Sequence, residues 1–214
     1  MKRDIIKEIT DKKRRSYIRA KRFWNVATKY NLISNLYESI VANDLDKTHK
    51  RELLKYIPIS LITLLENYFR QLIKEIILSD NKYLTNVARL KNIKVDLENI
   101  IEAQKKGLKI ADLVSHLIPI SNLNDIINNL SIILDSDYIK NLKEFTKSHK
   151  KFHIYNCDDI LKNINHIFEL RNVFVHEYAF REKINIKEIE DLLFDCLIFI
   201  FITDQMYLTS FKKA

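Results

Sequence analysis

The sequence holds one glycine, Gly107, and two prolines, Pro58 and Pro119, in 214 residues. Tight turns between strands draw heavily on both residue types, so their scarcity argues against a sheet protein and for helices. The two cysteines, Cys157 and Cys196, are too few for a disulfide framework. Buried reduced thiols and a cytoplasmic location are the expectation. The N-terminus has no apolar core of the signal-peptide type. A strongly apolar run over residues 192–203 is interrupted by Asp195 and closed by Asp204. It is too short to span a bilayer and reads as a buried helix, with no membrane span expected. No glycine-rich phosphate loop and no serine or cysteine nucleophile motif is present.

Apolar residues make up 47% of the chain and charged residues 30%, enough to bury a core and stay soluble. Helical periodicity runs through nearly every segment. The pattern predicts a first helix over 3–43, with a break near Asn31, and a second over 58–78, where Pro58 suits the first turn. Several shorter helices follow, with breaks at 91–94, 106–107, 119–122 and 135–137. A helix from Asp158 to Tyr178, capped by Asp158 or Asp159, precedes a last one capped by Asn185 and reaching Phe211. The expected architecture is all-α, a basic helical extension over residues 1–48 and one helical domain over 49–214.

The formal net charge is +8, and residues 1–22 set ten Lys/Arg against only three acidic residues. The basicity therefore belongs to one end of the chain. Lys12, Lys13, Arg14, Arg15, Arg19 and Arg22 are candidates to neutralise RNA phosphates, with Trp24 or Tyr17 stacking on a base. The competing reading is a solvated helix whose stripe of Tyr17, Ala20, Trp24, Ala27 and Asn31 docks on the domain or on a partner. A basic helix lying on an anionic membrane is a third reading.

Two charges fall where the helical pattern is apolar. In the second helix, Ile62, Leu65, Phe69, Leu72, Ile73 and Ile76 form a stripe with Glu66 at its edge. In the helix from Asp158, the stripe of Ile160, Ile164, Ile167, Phe174 and Tyr178 has Arg171 near its middle. An unpaired charge facing a core costs several kcal/mol, on the order of 3–5 when a partner is removed. Pairing Glu66 with Arg171 would remove that cost, either as a structural clip or as the floor of a cleft. His176 follows Arg171 by five residues, and Asn172 lies one turn before His176, where its amide can fix the imidazole tautomer. An arginine and a histidine can cleave RNA without a metal or other cofactor if both reach one phosphate. On an ideal helix the two lie about 140° apart. Either the helix distorts near Val175, or a second copy of the chain completes the site, which predicts a homodimer.

Arg171-Asn172-x3-His176 near the end of a long helix, in an all-helical chain, resembles the HEPN superfamily. Leu64-Leu65-Glu66-Asn67-Tyr68-Phe69-Arg70 looks like the earlier core helix of that superfamily, where several members carry a functional glutamate. The resemblance covers residues 53–208. It implies a HEPN-like helical bundle and a dimeric, metal-independent endoribonuclease of a toxin–antitoxin or anti-phage defence system. Arg171 and His176 would be catalytic, with Asn172 and Glu66 supporting. The implied reaction is a transphosphorylation: His176 takes the proton of a ribose 2′-OH, which attacks the adjacent phosphate. Arg171 stabilises the charge developing on the phosphoryl oxygens. The string Arg171-x4-His176-x-Tyr178 also resembles HEPN toxins paired with minimal nucleotidyltransferase antitoxins. In those toxins the tyrosine two after the histidine is modified, so Tyr178 would be regulatory and an antitoxin a partner. A core-packing role for Tyr178 is the competing reading.

The rival to the nuclease is a catalytically silent HEPN-like module that binds RNA, nucleotide or a protein partner, because function is set by the site and not the fold. The His149-x3-His153 spacing can hold zinc on a helix. It lacks a third ligand and reads as surface histidines, so no metal is expected. His116 and His166 have no partner visible in the sequence.

Overall fold

The computed structural model describes residues 5–15, 22–91, 93, 95–176 and 184–211, with the side chains at 11–15, 23 and 176 set aside. Eleven α-helices and no strand occur among the described residues. They are α1 (Ile5–Arg15), α2 (Arg22–Ala42), α3 (Lys47–Leu54), α4 (Tyr56–Ser79), α5 (Asn81–Val87), α6 (Leu97–Lys105), α7 (Ile110–Leu117), α8 (Leu123–Leu134), α9 (Tyr138–Ser148), α10 (Cys157–His176) and α11 (Ile186–Ser210). The fold is all-α, as the composition requires.

Polar residues set most helix boundaries. Asp46 accepts from the Thr48 amide at 2.8 Å to start α3. Asp80 ends α4 and, accepting from the Lys82 amide at 2.8 Å, starts α5. Asn122 starts α8 and Asp137 starts α9 in the same way. Asn185 caps α11 as expected, and Glu188 completes a reciprocal capping box. α10 differs from expectation: Asn156, not Asp158 or Asp159, accepts from the Asp158 amide at 3.0 Å. All four predicted breaks in the middle of the chain fall between helices. Gly107 sits at φ 63°, the left-handed geometry that glycine adopts without Cβ strain. There it turns the chain from α6 toward α7 with Leu108 N bonded to Ala103 O at 2.9 Å.

α4 is the central helix. Its buried residues, among them Leu61, Leu64, Leu65, Tyr68, Phe69, Leu72, Ile73 and Ile76, occupy most of its circumference. It packs against α2, α5, α7, α10 and α11. A helix apolar on nearly all sides is stable only when surrounded, and here the other helices surround it. A small separate core of Ile6, Ile9, Ala103, Leu108 and Leu113 joins α1 to α6 and α7.

The division at residue 48 does not describe how α2 packs. Val26, Ile33 and Ile40 of α2 lie in the same core as α4 and α11, with Tyr30 and Tyr37 packed against it. The predicted stripe is displaced: Trp24 is 67% exposed, and α2 continues through Asn31 without a break.

α11 contains the apolar run and extends past it on both sides to 25 residues. Among the described residues it is the one helix long and apolar enough to cross a membrane by length and composition, and 61% of that window is buried inside the bundle. It also carries Asp204, which is buried beside Arg22.

Arg22 joins three helices. Its Nε donates to Asp204 Oδ1 at 2.9 Å, and Nη2 contacts the same oxygen. Nη1 donates to Glu75 Oε2 at 2.7 Å. The guanidinium lies over the Tyr68 ring at 5.4 Å and the Tyr207 ring at 5.6 Å. Burial opposes its charge, but Tyr68, Asp204 and Glu75 outweigh that and hold its pKa above the ordinary value.

Side-chain exposure is 7% for Arg22, 8% for Asp204 and 46% for Glu75. Replacing Arg22 with Ala strands a buried carboxylate, and urea denaturation is expected to show a loss of about 3–5 kcal/mol. Glu75→Gln, at the wet end of the same cluster, should cost less than about 1 kcal/mol. Burial also pushes the Cys196 thiol far above its usual pKa and the Cys157 thiol up less strongly. Intact-mass analysis after iodoacetamide treatment is therefore expected to show Cys196 unmodified in the native protein and both cysteines alkylated in urea.

Candidate functional site

α10 carries the arginine–histidine pair. Cys157, Ile160, Ile164, Ile167, Phe168 and Leu170 are its buried residues toward the bundle. From Arg171 through Val175 no residue is fully buried. The last described turns of α10 are thus less deeply buried, with Phe174 still packed against the core, although Arg171 continues the line of Ile160, Ile164 and Ile167 around the helix. A sequence stripe cannot show where the core ends, which is why Arg171 reads as buried and is instead partly exposed.

Arg171 Nη1 donates to Asn172 Oδ1 at 2.9 Å. No ion pair within 4 Å joins Arg171 to Glu66, or to any other carboxylate among the described residues. The expected Glu66–Arg171 pair is therefore not formed. Glu66 is half-buried on α4, which does pack against α10, but adjacency of helices does not set the register of two side chains. The charge that does close a contact in this stretch of α4 is Arg70. Its Nη1 donates to the carbonyls of Ser115, His116 and Ile118 at 2.8, 2.7 and 3.1 Å, gathering the C-terminal end of α7.

α10 remains helical through His176. The distortion near Val175 that would have turned Arg171 and His176 to one side is absent from the backbone. The His176 side chain lies outside the described residues, as does Tyr178. Asn172 is exposed, and its amide nitrogen is left to other partners once Oδ1 has accepted from Arg171.

Of the basic set, Arg22 is corrected outright. It is buried with Asp204 and Glu75 and is not available to RNA. The sequence signal was misleading because a run of basic residues does not show which member turns inward. Arg19 and the side chains of Lys12, Lys13, Arg14 and Arg15 lie outside the described residues. Trp24 is solvent-facing.

The other histidines acquire partners that the sequence did not disclose. His116 Nε2 lies 3.1 Å from Glu8 Oε2 and ties α7 to α1. His149 stacks against Phe145 and Phe152, with ring centroids 5.0 and 4.7 Å away. Among the described residues no group of three or more His, Cys, Asp or Glu could hold a metal ion. His166 lies between two glutamates, Nδ1 3.4 Å from Glu169 Oε2 and Nε2 2.8 Å from Glu188 Oε1. It borders a cleft of about 260 Å³ between α10 and α11, shared with Asn163, Lys187, Glu188 and Asp191. The signal for this cluster was legible in part: His166 and Glu169 are three apart, and Glu188 is the third residue after the cap Asn185.

No family model, curated protein or solved structure matches the chain.

Asp195, beside the α10–α11 cleft, accepts from Asn163 Nδ2 at 2.6 Å. Burial raises its pKa, and Asp191 and Asp159 add to the rise against the opposing Asn163 hydrogen bond. A carboxyl whose folded pKa exceeds its unfolded value binds protons more tightly in the folded state. Stability therefore falls as pH rises through the window between the two values. Asp195→Asn keeps an acceptor for Asn163 and removes that penalty. Its urea midpoint is expected to exceed that of the wild type at pH 7, with the gap shrinking on approach to pH 4.

Proposed function

We propose that the protein is a metal-independent endoribonuclease of HEPN type, acting as a homodimer, and that it serves a toxin–antitoxin or anti-phage defence system. One observation carries the reading. Arg171 is a partly exposed guanidinium without a carboxylate partner within 4 Å among the described residues, on the helix that ends at His176. An arginine meant only as a structural clip would be expected to meet an acid, as Arg22 does. Arg171 keeps donors free for a phosphate, and Asn172 orients it through one of them.

In this reading His176 removes the 2′-OH proton and the freed oxygen attacks the neighbouring phosphorus. The P–O5′ bond breaks, and a protonated imidazole returns a proton to the 5′-oxygen. The products are a 2′,3′-cyclic phosphate and a 5′-hydroxyl, and DNA, lacking the 2′-OH, is spared. Arg171 balances the charge that grows on the phosphoryl oxygens. A regular α10 favours completion of the site by a second copy, because one helix holds the two residues about 140° apart.

Purified protein incubated with mixed RNA in EDTA is expected to cut it and leave cyclic phosphate ends. His176→Ala should lower the rate by about 10²–10⁴-fold, and Arg171→Ala by about 10²–10³-fold. Refolding the two variants together should restore part of the activity, since one mixed site would then hold both groups. Equal cutting by all three proteins would remove this assignment.

A further inference from the structure

A second cleft, of about 290 Å³, opens between α2 and α4. This is close to the small end of the range for small-ligand sites, roughly 300 Å³. Its polar wall is unusual in a chain so rich in charge. Asn25, Asn67 and Gln71 bring three carboxamides to it, Thr28 a hydroxyl and Lys29 an ammonium, and none of the lining residues is acidic. The apolar floor is Val26, Leu64 and the Tyr68 ring, all buried. Tyr68 is held there by its hydroxyl, which donates to Ile200 O at 3.3 Å, and by the guanidinium of Arg22 over its ring.

Most of this polar wall is uncommitted. Asn67 Nδ2 donates to Thr63 O at 2.7 Å. The side chains of Asn25, Thr28, Lys29 and Gln71 form no hydrogen bond or ion pair with another described residue. Thr28 contrasts with Thr63, Thr85 and Thr146, which each donate to the carbonyl four residues earlier. Trp24, the single tryptophan of the chain, is exposed on α2 one turn before Thr28, outside the lining itself.

We propose that this cleft binds one unpaired nucleotide unit. A carboxamide offers a donor and an acceptor side by side, the pattern that reads the edge of a base. The flat apolar floor suits the ring, Lys29 suits a phosphate, and Trp24 suits stacking of the same or the next base. The lack of acidic residues leaves an anionic ligand unopposed. The unit can come from a free nucleotide or from a single-stranded RNA, and the chemistry is shared. The cleft is built from residues other than Arg171 and His176, so the inference holds whether or not those residues cut RNA.

Trp24 supplies the readout. The full-length protein is titrated with the four 5′-mononucleotides. In parallel, its Arg171→Ala form is titrated with oligo(U) and oligo(A), so that any cutting does not consume the probe. Saturable quenching of Trp24 fluorescence is expected. Quenching by the mononucleotides identifies a free-nucleotide site, and quenching by the oligomers alone identifies an RNA site. Gln71→Glu and Asn67→Leu should each weaken binding by about tenfold or more, with unchanged far-ultraviolet circular dichroism. Lys29→Ala should lower the salt dependence by about one phosphate contact. No quenching with any probe, or quenching that Gln71→Glu and Asn67→Leu leave intact, overturns the proposal. The assay reads binding alone, so a chain that binds but never cuts would defeat the nuclease reading and leave this one standing.

Discussion

The bundle is organised around a guanidinium that is almost wholly removed from water. Arg22 starts α2, Glu75 lies near the end of α4, and Asp204 lies near the end of α11, and the three meet in one cluster. Tyr68 and Tyr207 cover the two sides of the cation. Burying a charge is tolerable only when partners replace the lost hydration, and here two carboxylates and two ring faces do so. That requirement fixes the register of α2 against α4 and α11 more tightly than the apolar contacts alone. Val26, Ile33 and Ile40 could slide by a turn and still find oily surface. The guanidinium could not.

The consequence reaches the surface. Tyr68 contributes its ring to the Arg22 cluster and also to the floor of the α2–α4 cleft. The walls of that cleft come from the two helices that Arg22 and Glu75 clamp together. A polar cleft between two helices keeps its shape only if the helices hold their spacing, and the Arg22–Glu75 pair, with its half-exposed carboxylate, adds a directional contact to the packing of α2 on α4.

Local signals made much of the fold readable, and long-range ones did not. Asn185 announces a helix start, and the breaks at 119–122 and 135–137 end on the caps Asn122 and Asp137, because capping depends on residues within one turn. Gly107, as the one glycine, marks a left-handed turn for the same local reason. The buried face of α2 was not readable, because its members at 22, 26, 30, 33, 37 and 40 begin with an arginine and include two tyrosines. That face is polar enough to pass for surface, and the more apolar-looking Trp24 was taken for its centre. The site divided the same way. Arg171 stood out because a charge broke a periodic stripe, which is local information. Its pairing with Glu66 was an inference across two helices, and the register between helices is set by the whole core.

Arg22 and Arg171 make the contrast that bears on function. Both are arginines on long helices. One is deep in the bundle and meets acids from two other helices. The other sits on the less buried last described turns of α10 and, among the described residues, meets a neutral amide, Asn172, and no carboxylate. A stable core gives a reason for the first arrangement, since Arg22 relieves the buried Asp204; among the described residues Arg171 relieves no carboxylate. In the proposed nuclease, a cation left partly exposed, oriented by an amide and five residues from a histidine, is the group that receives a phosphate arriving from outside. With α10 helical through His176, that proposal takes the histidine beside Arg171 from a second protomer more readily than from the same helix. Within that proposal, dimerisation and phosphate chemistry are not two separate assumptions: two residues about 140° apart on one helix make the second depend on the first.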